Sequence, residues 1–89
     1  IEDYKAATFA LKNAIKENPD SRYREDIMYY LVVSHYRYAE QSVKEKLRER
    51  YLALTDEYYN FISEYPESKY RKELDGMFNK AQAETKTNQ

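Results

Sequence analysis

Eighty-nine residues, a formal net charge of −1 and no cysteine bound the chain to one small domain without a disulfide, a thiolate nucleophile or a Cys-based zinc site. His35 is the single histidine, so no His-pair metal site exists, and the balanced charge argues against bulk nucleic-acid binding. The longest apolar run, residues 27–33, is far shorter than the roughly 20 residues of a membrane span. Leu, Ile, Val and Phe number only 16, whereas Tyr alone numbers 11, so the core is expected to be built largely from tyrosine rings. One Gly and two Pro supply too few turns for an all-β fold.

In chain order, the first predicted helix covers residues 2–17, with Tyr4, Ala7, Leu11, Ala14 and Ile15 on one face. Pro19 disfavours helical geometry at the residue before it. Ser21 stands where an N-cap hydroxyl would accept a bond from an orphan N–H. The second predicted helix covers residues 21–41. Its segment 27–33 is rich enough in β-branched and aromatic residues to pass for a buried strand. Helix is preferred because no Gly or Pro bounds the run on its C-terminal side, apolar character continues to Tyr36 and Tyr38, and a lone strand would have no partner. The third, residues 43–65, carries Val43, Leu47, Tyr51, Leu54, Tyr58, Phe61 and Tyr65 at helical period. Pro66 and Ser68 then repeat the stop and the cap before a fourth helix at 68–84. Residues 85–89 have nothing to bury and read as a flexible tail. The expectation is an all-α domain over residues 1–84, a stack of about four antiparallel helices.

An internal repeat organises this pattern. Residues 4–24 and 51–71, offset by 47, share ten of 21 positions: Tyr4/Tyr51, Ala6/Ala53, Thr8/Thr55, Asn13/Asn60, Ile15/Ile62, Glu17/Glu64, Pro19/Pro66, Ser21/Ser68, Tyr23/Tyr70 and Arg24/Arg71. A period in this range reads as a solenoid unit.

Each stripe-plus-proline segment resembles the second helix of a tetratricopeptide repeat. Tyr4, Ala7, Leu11, Ala14 and Pro19 match its aromatic, small, bulky, small and proline positions, and Tyr51, Leu54, Tyr58, Phe61 and Pro66 fill the same slots. Tyr29, Val32, Val33 and Tyr36 fall where the first helix carries Trp, Leu, Gly and Tyr. Val33 departs from that glycine, Leu54 and Phe61 depart from small residues, and the period exceeds the usual 34 by about 13. The turns at 19–24 and 65–71 and the stretch 57–68 are similar to the carboxy-terminal repeats of BamD-type outer-membrane assembly lipoproteins.

That resemblance implies a right-handed stack with no catalytic role: a protein-interaction scaffold at the periplasmic face of the outer membrane, docking POTRA domains of the barrel-forming partner. Family members carry lipid on an N-terminal cysteine, which this chain lacks. It also implies that Tyr30, Ser34, Arg37 and Tyr38 face a ligand across the concave surface. By the same match, residues 2–17 are the second helix of a repeat whose first helix lies outside this sequence, which starts at Ile1. The expectation is a piece of a longer array, with Phe9 and one flank of the first stripe uncovered and prone to form a homodimer. The rival architecture is a self-contained helical bundle with a structural or oligomerisation role.

The remaining chemistry is weighed residue by residue. Glu25/Asp26 and Asp56/Glu57 are neighbours that a helix points about 100° apart, so neither pair shares a proton across a cleft. His35 reads as a packing or surface residue. No catalytic, cofactor or metal site is expected. Lys44, Lys46, Arg48 and Arg50 crowd one segment, with like charges at i,i+4. Either Glu45–Arg48 and Lys46–Glu49 pairs compensate them on a solvated face, or Lys44, Arg48 and Arg50 belong to a docking patch. Arg22, Arg24, Lys69 and Arg71 oppose the dipole of the helices they begin, so pairing with Asp20, Glu67, the next helix or a partner's acidic group is expected. Tyr4, Tyr23, Tyr29, Tyr36, Tyr51, Tyr58 and Tyr70 are assigned to the core. Tyr30, Tyr38, Tyr59 and Tyr65 are surface candidates.

Overall fold

The computed structural model describes residues 3–87. They form four helices and no strand: α1 (Tyr4–Glu17), α2 (Arg24–Glu40), α3 (Lys44–Glu64) and α4 (Arg71–Thr87). The ambiguous segment 27–33 lies wholly within α2.

The two copies of the repeat end their helices alike. Asn18 and Tyr65, each before a proline, leave helical geometry at φ −140°, ψ 69° and φ −129°, ψ 63°, as the proline ring demands of its predecessor. Both turns then make matching backbone bonds. The amides of Ser21 and Arg24 donate to the carbonyls of Asn18 and Ser21 at 3.1 and 3.0 Å. Those of Ser68 and Arg71 donate to Tyr65 and Ser68 at 3.2 and 3.0 Å. The serine hydroxyls accept from the amides of Tyr23 and Tyr70, both at 3.1 Å. They therefore close the turn and do not cap the helix, which starts three residues later at Arg24 and Arg71. The cause is that the residues between stay in a tighter i→i+3 pattern before α-helical bonding sets in.

The shared arginine has one job in both copies. Arg24 Nη1 donates to the carbonyl of Pro19 at 3.1 Å, and Arg71 Nη1 to that of Pro66 at 2.9 Å. Each guanidinium so clamps the start of a helix to the turn before it. Arg24 also forms a two-pronged pair with Glu64 at 2.8–2.9 Å, tying the start of α2 to the end of α3. Arg71 pairs with Asp75 within its own helix at 2.8 Å. The other cation of each turn lies over the following ring: Arg22 at 4.9 Å from Tyr23, Lys69 at 5.2 Å from Tyr70. These contacts offset the unfavourable helix-dipole position.

The core sits between α2, α3 and α4. Phe61, Leu54, Leu74, Val32 and Ala39 are almost fully inaccessible there, and Tyr51, Tyr58, Met28 and Met77 are buried with them. Tyr58 stacks on Phe78 at 4.3 Å and donates its hydroxyl to Asp75 at 2.5 Å. Tyr29 stacks on Tyr70 at 3.8 Å. The Tyr29 hydroxyl donates to Glu73 at 2.8 Å, so both Tyr58 and Tyr29 find a carboxylate for the hydroxyl at the rim of the core. The stripe of α3 is shorter than its sequence pattern, because Val43 is the exposed N-cap residue. Tyr23, assigned to the core, is 53% exposed. The fourth helix continues past residue 84. Thr85 is buried and donates to the Gln82 carbonyl at 3.1 Å, so 85–87 belong to α4 and not to a tail. Asn88 and Gln89 lie outside the described residues.

Consecutive helices pack in pairs, and α2 also meets α4. Among the described residues α1 packs along α2 alone and approaches the backbone of neither α3 nor α4. A closed four-helix bundle would bring the first and last helices together. The shortest dimension, 19 Å, is about two helix diameters. The result is an open two-layer array.

Candidate functional site: a basic aromatic groove between α1 and α3

With their backbones held apart, α1 and α3 flank a groove floored by α2, with a volume of about 420 Å³. Phe9 projects into it from α1 and is 64% exposed. His35 and Tyr38 come from α2, and Lys46, Glu49 and Arg50 from α3. The Arg50 guanidinium lies 4.0 Å from the centre of the Tyr38 ring. It is held there by a bond to Ser42 Oγ at 3.2 Å, and that hydroxyl donates to the Tyr38 carbonyl at 3.1 Å. The short α2–α3 connection thereby fixes an aromatic ring and a cation as a preformed pair.

The electrostatics favour an anion. Lys5, Lys46 and Arg50 line the groove against one carboxylate, Glu49. Further along, Lys12 reaches across to the buried Glu57 at 3.5 Å, the one ion pair among the described residues between α1 and α3. Burial pushes the His35 imidazole below its usual range; Glu57 opposes that shift and Lys12 adds to it. A neutral His35 floors the groove as an amphipathic wall.

The residues singled out in the sequence fall in three places. Tyr38 and Arg50 meet in this groove. Tyr30 and Arg37 lie on the outer side of α2, where Tyr30 is 55% exposed and Arg37 pairs with Glu40 at 2.9 Å. Lys44 and Arg48 are exposed on the first turns of α3, and neither lines the groove. Ser34 is buried. It cannot face a ligand, because at its position α2 turns inward. Among the described residues neither Glu45–Arg48 nor Lys46–Glu49 forms an ion pair; the charges of that segment spread into solvent and toward the groove.

Sequence reasoning missed Phe9, Lys5 and His35 as groove residues. A signal was present: the two copies differ where α1 lines the groove, with Lys5 and Phe9 standing against Leu52 and Asp56. Among the described residues no cluster of His, Cys, Asp and Glu could hold a metal, and no helix is long and apolar enough to cross a membrane. No protein-family model and no curated protein matches the chain.

Proposed function

We propose that this chain is a helical-repeat module that binds proteins, and that the α1–α3 groove receives an acidic segment with an apolar anchor. One observation carries the reading: an exposed phenylalanine and a prefixed Tyr38–Arg50 pair share a groove with surplus positive charge. Aromatic and arginine side chains dominate binding energy at protein interfaces, and complementary charge sets approach and register. The open packing of α1 supports the array reading over the closed bundle. The tetratricopeptide resemblance supports an interaction role. The likeness of the turns to BamD-type lipoproteins makes the machinery that assembles outer-membrane β-barrels the first place to look, with POTRA domains as the first partner to try.

The test is a titration of isotopically labelled protein with purified POTRA domains and, separately, with a short acidic peptide carrying one Phe or Leu. The expected result is shift changes centred on Phe9, Tyr38 and Arg50, lost in Phe9→Glu and Arg50→Glu. Binding that ignores both substitutions rejects the groove. No response to either ligand rejects the proposed partner chemistry.

A further inference from the structure

The repeat provides a second, independent prediction on another face. α4 docks on the array through Leu74, Met77, Ala81 and Thr85, all buried. The residues 47 positions earlier are Ile27, Tyr30, Ser34 and Tyr38 of α2. Of these, Ser34 is buried and Ile27 half-buried, whereas Tyr30, on the outer side of α2, is 55% exposed in place of the buried Met77.

The adjoining flank of α1 tells the same story. Leu54, Glu57 and Phe61 are buried in α3, whereas their counterparts Ala7, Ala10 and Ala14 are half-buried or exposed. The turns complete the comparison. The second turn is covered by α2: Ser68 Oγ donates to Glu25 at 2.5 Å, the Tyr70 hydroxyl donates to Asp26 at 2.6 Å, and the Tyr70 ring stacks on Tyr29. The first turn offers the same hydroxyl and ring at Ser21 and Tyr23. There the Tyr23 hydroxyl accepts only from the neighbouring Arg22, at 2.7 Å, and no other helix covers the ring among the described residues.

We infer that this face, made of the Ala7–Ala10–Ala14 flank, the Ser21–Tyr23 turn and Tyr30, docks a helix of a partner protein whose first turn reads Glu-Asp-x-x-Tyr. The α2–α4 interface is the template. An acidic pair would accept from Ser21 and Tyr23, and an aromatic ring three residues after the pair would stack on Tyr23. Arg22 adds positive charge beside the acidic pair, where Lys69 stands in the occupied copy. The alanines leave room that the incoming helix would fill with side chains bulkier than Met28 and Val32. A second copy of this chain is not the occupant, because its own Glu25, Asp26 and Tyr29 are engaged by its own second turn.

The probe is a blocked, fluorescently labelled peptide copying residues 21–41, titrated into the intact protein and read by anisotropy. The inference expects saturable binding. It expects at least tenfold weakening when the protein carries Tyr23→Ala or Tyr30→Glu, and similar weakening when the peptide carries Glu25→Gln with Asp26→Asn. Both protein sites are exposed, and circular dichroism checks that each variant folds. Phe9→Glu should leave this binding unchanged, which separates it from the groove. A peptide that displaces the protein's own α2 would bind regardless of Tyr23 and Tyr30, and that result overturns the inference. So does absence of saturable binding. Light scattering that shows a dimer dissolved by Tyr30→Glu would identify a second copy as occupant and would also overturn it.

Discussion

Helices α1 and α3 are copies of one sequence unit placed in different surroundings. They share Tyr4/Tyr51, Thr8/Thr55 and Ile15/Ile62 along one face, and both continue into the same proline turn. α3 lies between α2 and α4, and its opposite flank is filled by Leu54 and Phe61 at the centre of the core. α1 has one neighbour, and alanines stand at those two positions. Only Thr8 of its side chains is buried. Side chains common to both copies therefore hold the unit together, and those that differ record what each copy touches.

The largest expected effect comes from the filled flank. Phe61→Ala should destabilise by about 3–5 kcal/mol, as truncation of a fully buried aromatic does. The reciprocal change, Ala14→Leu, should stay within about 0.5 kcal/mol, since the open flank admits a larger side chain without strain. Denaturant titrations of both variants would test this. Equal and large losses would mean that the α1 flank is packed.

Tyrosines separate in the same way. Tyr58→Ala loses a buried ring, its stack on Phe78 and its bond to Asp75, so a loss of about 3–5 kcal/mol is expected. Tyr38→Ala removes a half-buried ring and its cation–π contact with Arg50, worth about 0.5–1 kcal/mol at an exposed site. A loss for Tyr38 as large as that for Tyr58 would assign Tyr38 to the core.

Much of this was legible in the sequence. The four helices, the matched prolines and the stripe from Leu47 to Phe61 follow from spacing that few folds satisfy. The turn serines were misassigned as caps because an N-cap and a turn-closing hydroxyl call for the same residue type. Tyr23 and Tyr70 are identical in the two copies and both read as core, but burial depends on which helix lies opposite, and local sequence does not encode that neighbour. The groove was hidden for the same reason: Phe9 reads as a face awaiting another helix, and nothing in the local sequence places Lys5 beside it until α3 is set against α1.

Smaller effects sharpen the comparison further. Acidification should weaken the fold through His35. Burial lowers its folded-state pKa below the unfolded value, so the unfolded chain takes up a proton first, and stability falls as pH drops below about 6.5. His35→Gln should flatten that part of the melting-temperature profile. Glu64 and Asp75 are held below the usual carboxylate range, Glu64 by its hydrogen bonds to Arg24 and Asp75 first by Tyr58 and then by Arg71. Their contribution is present above the unfolded carboxylate pKa and is lost as pH falls through the folded one. Between the two shared arginines, Arg24→Ala should lower the denaturation midpoint more than Arg71→Ala, because the carboxylate paired two-pronged with Arg24 lies on another helix, whereas that paired with Arg71 lies on its own. Gly76 occupies the position equivalent to Tyr29, and nothing lies within 4 Å of a Cβ built there. Gly76→Ala should therefore stabilise α4 by about 0.5–1 kcal/mol. A loss instead would place an unseen neighbour on that face.

Native-state hydrogen exchange tests the open array most directly. If α1 is held chiefly by α2, amides from Ala7 to Ile15 should exchange through local opening, at a free energy well below that of amides from Leu54 to Phe61, which should exchange only on global unfolding. Equal protection across both copies would contradict the open array and favour a closed bundle in which α1 is locked as firmly as α3.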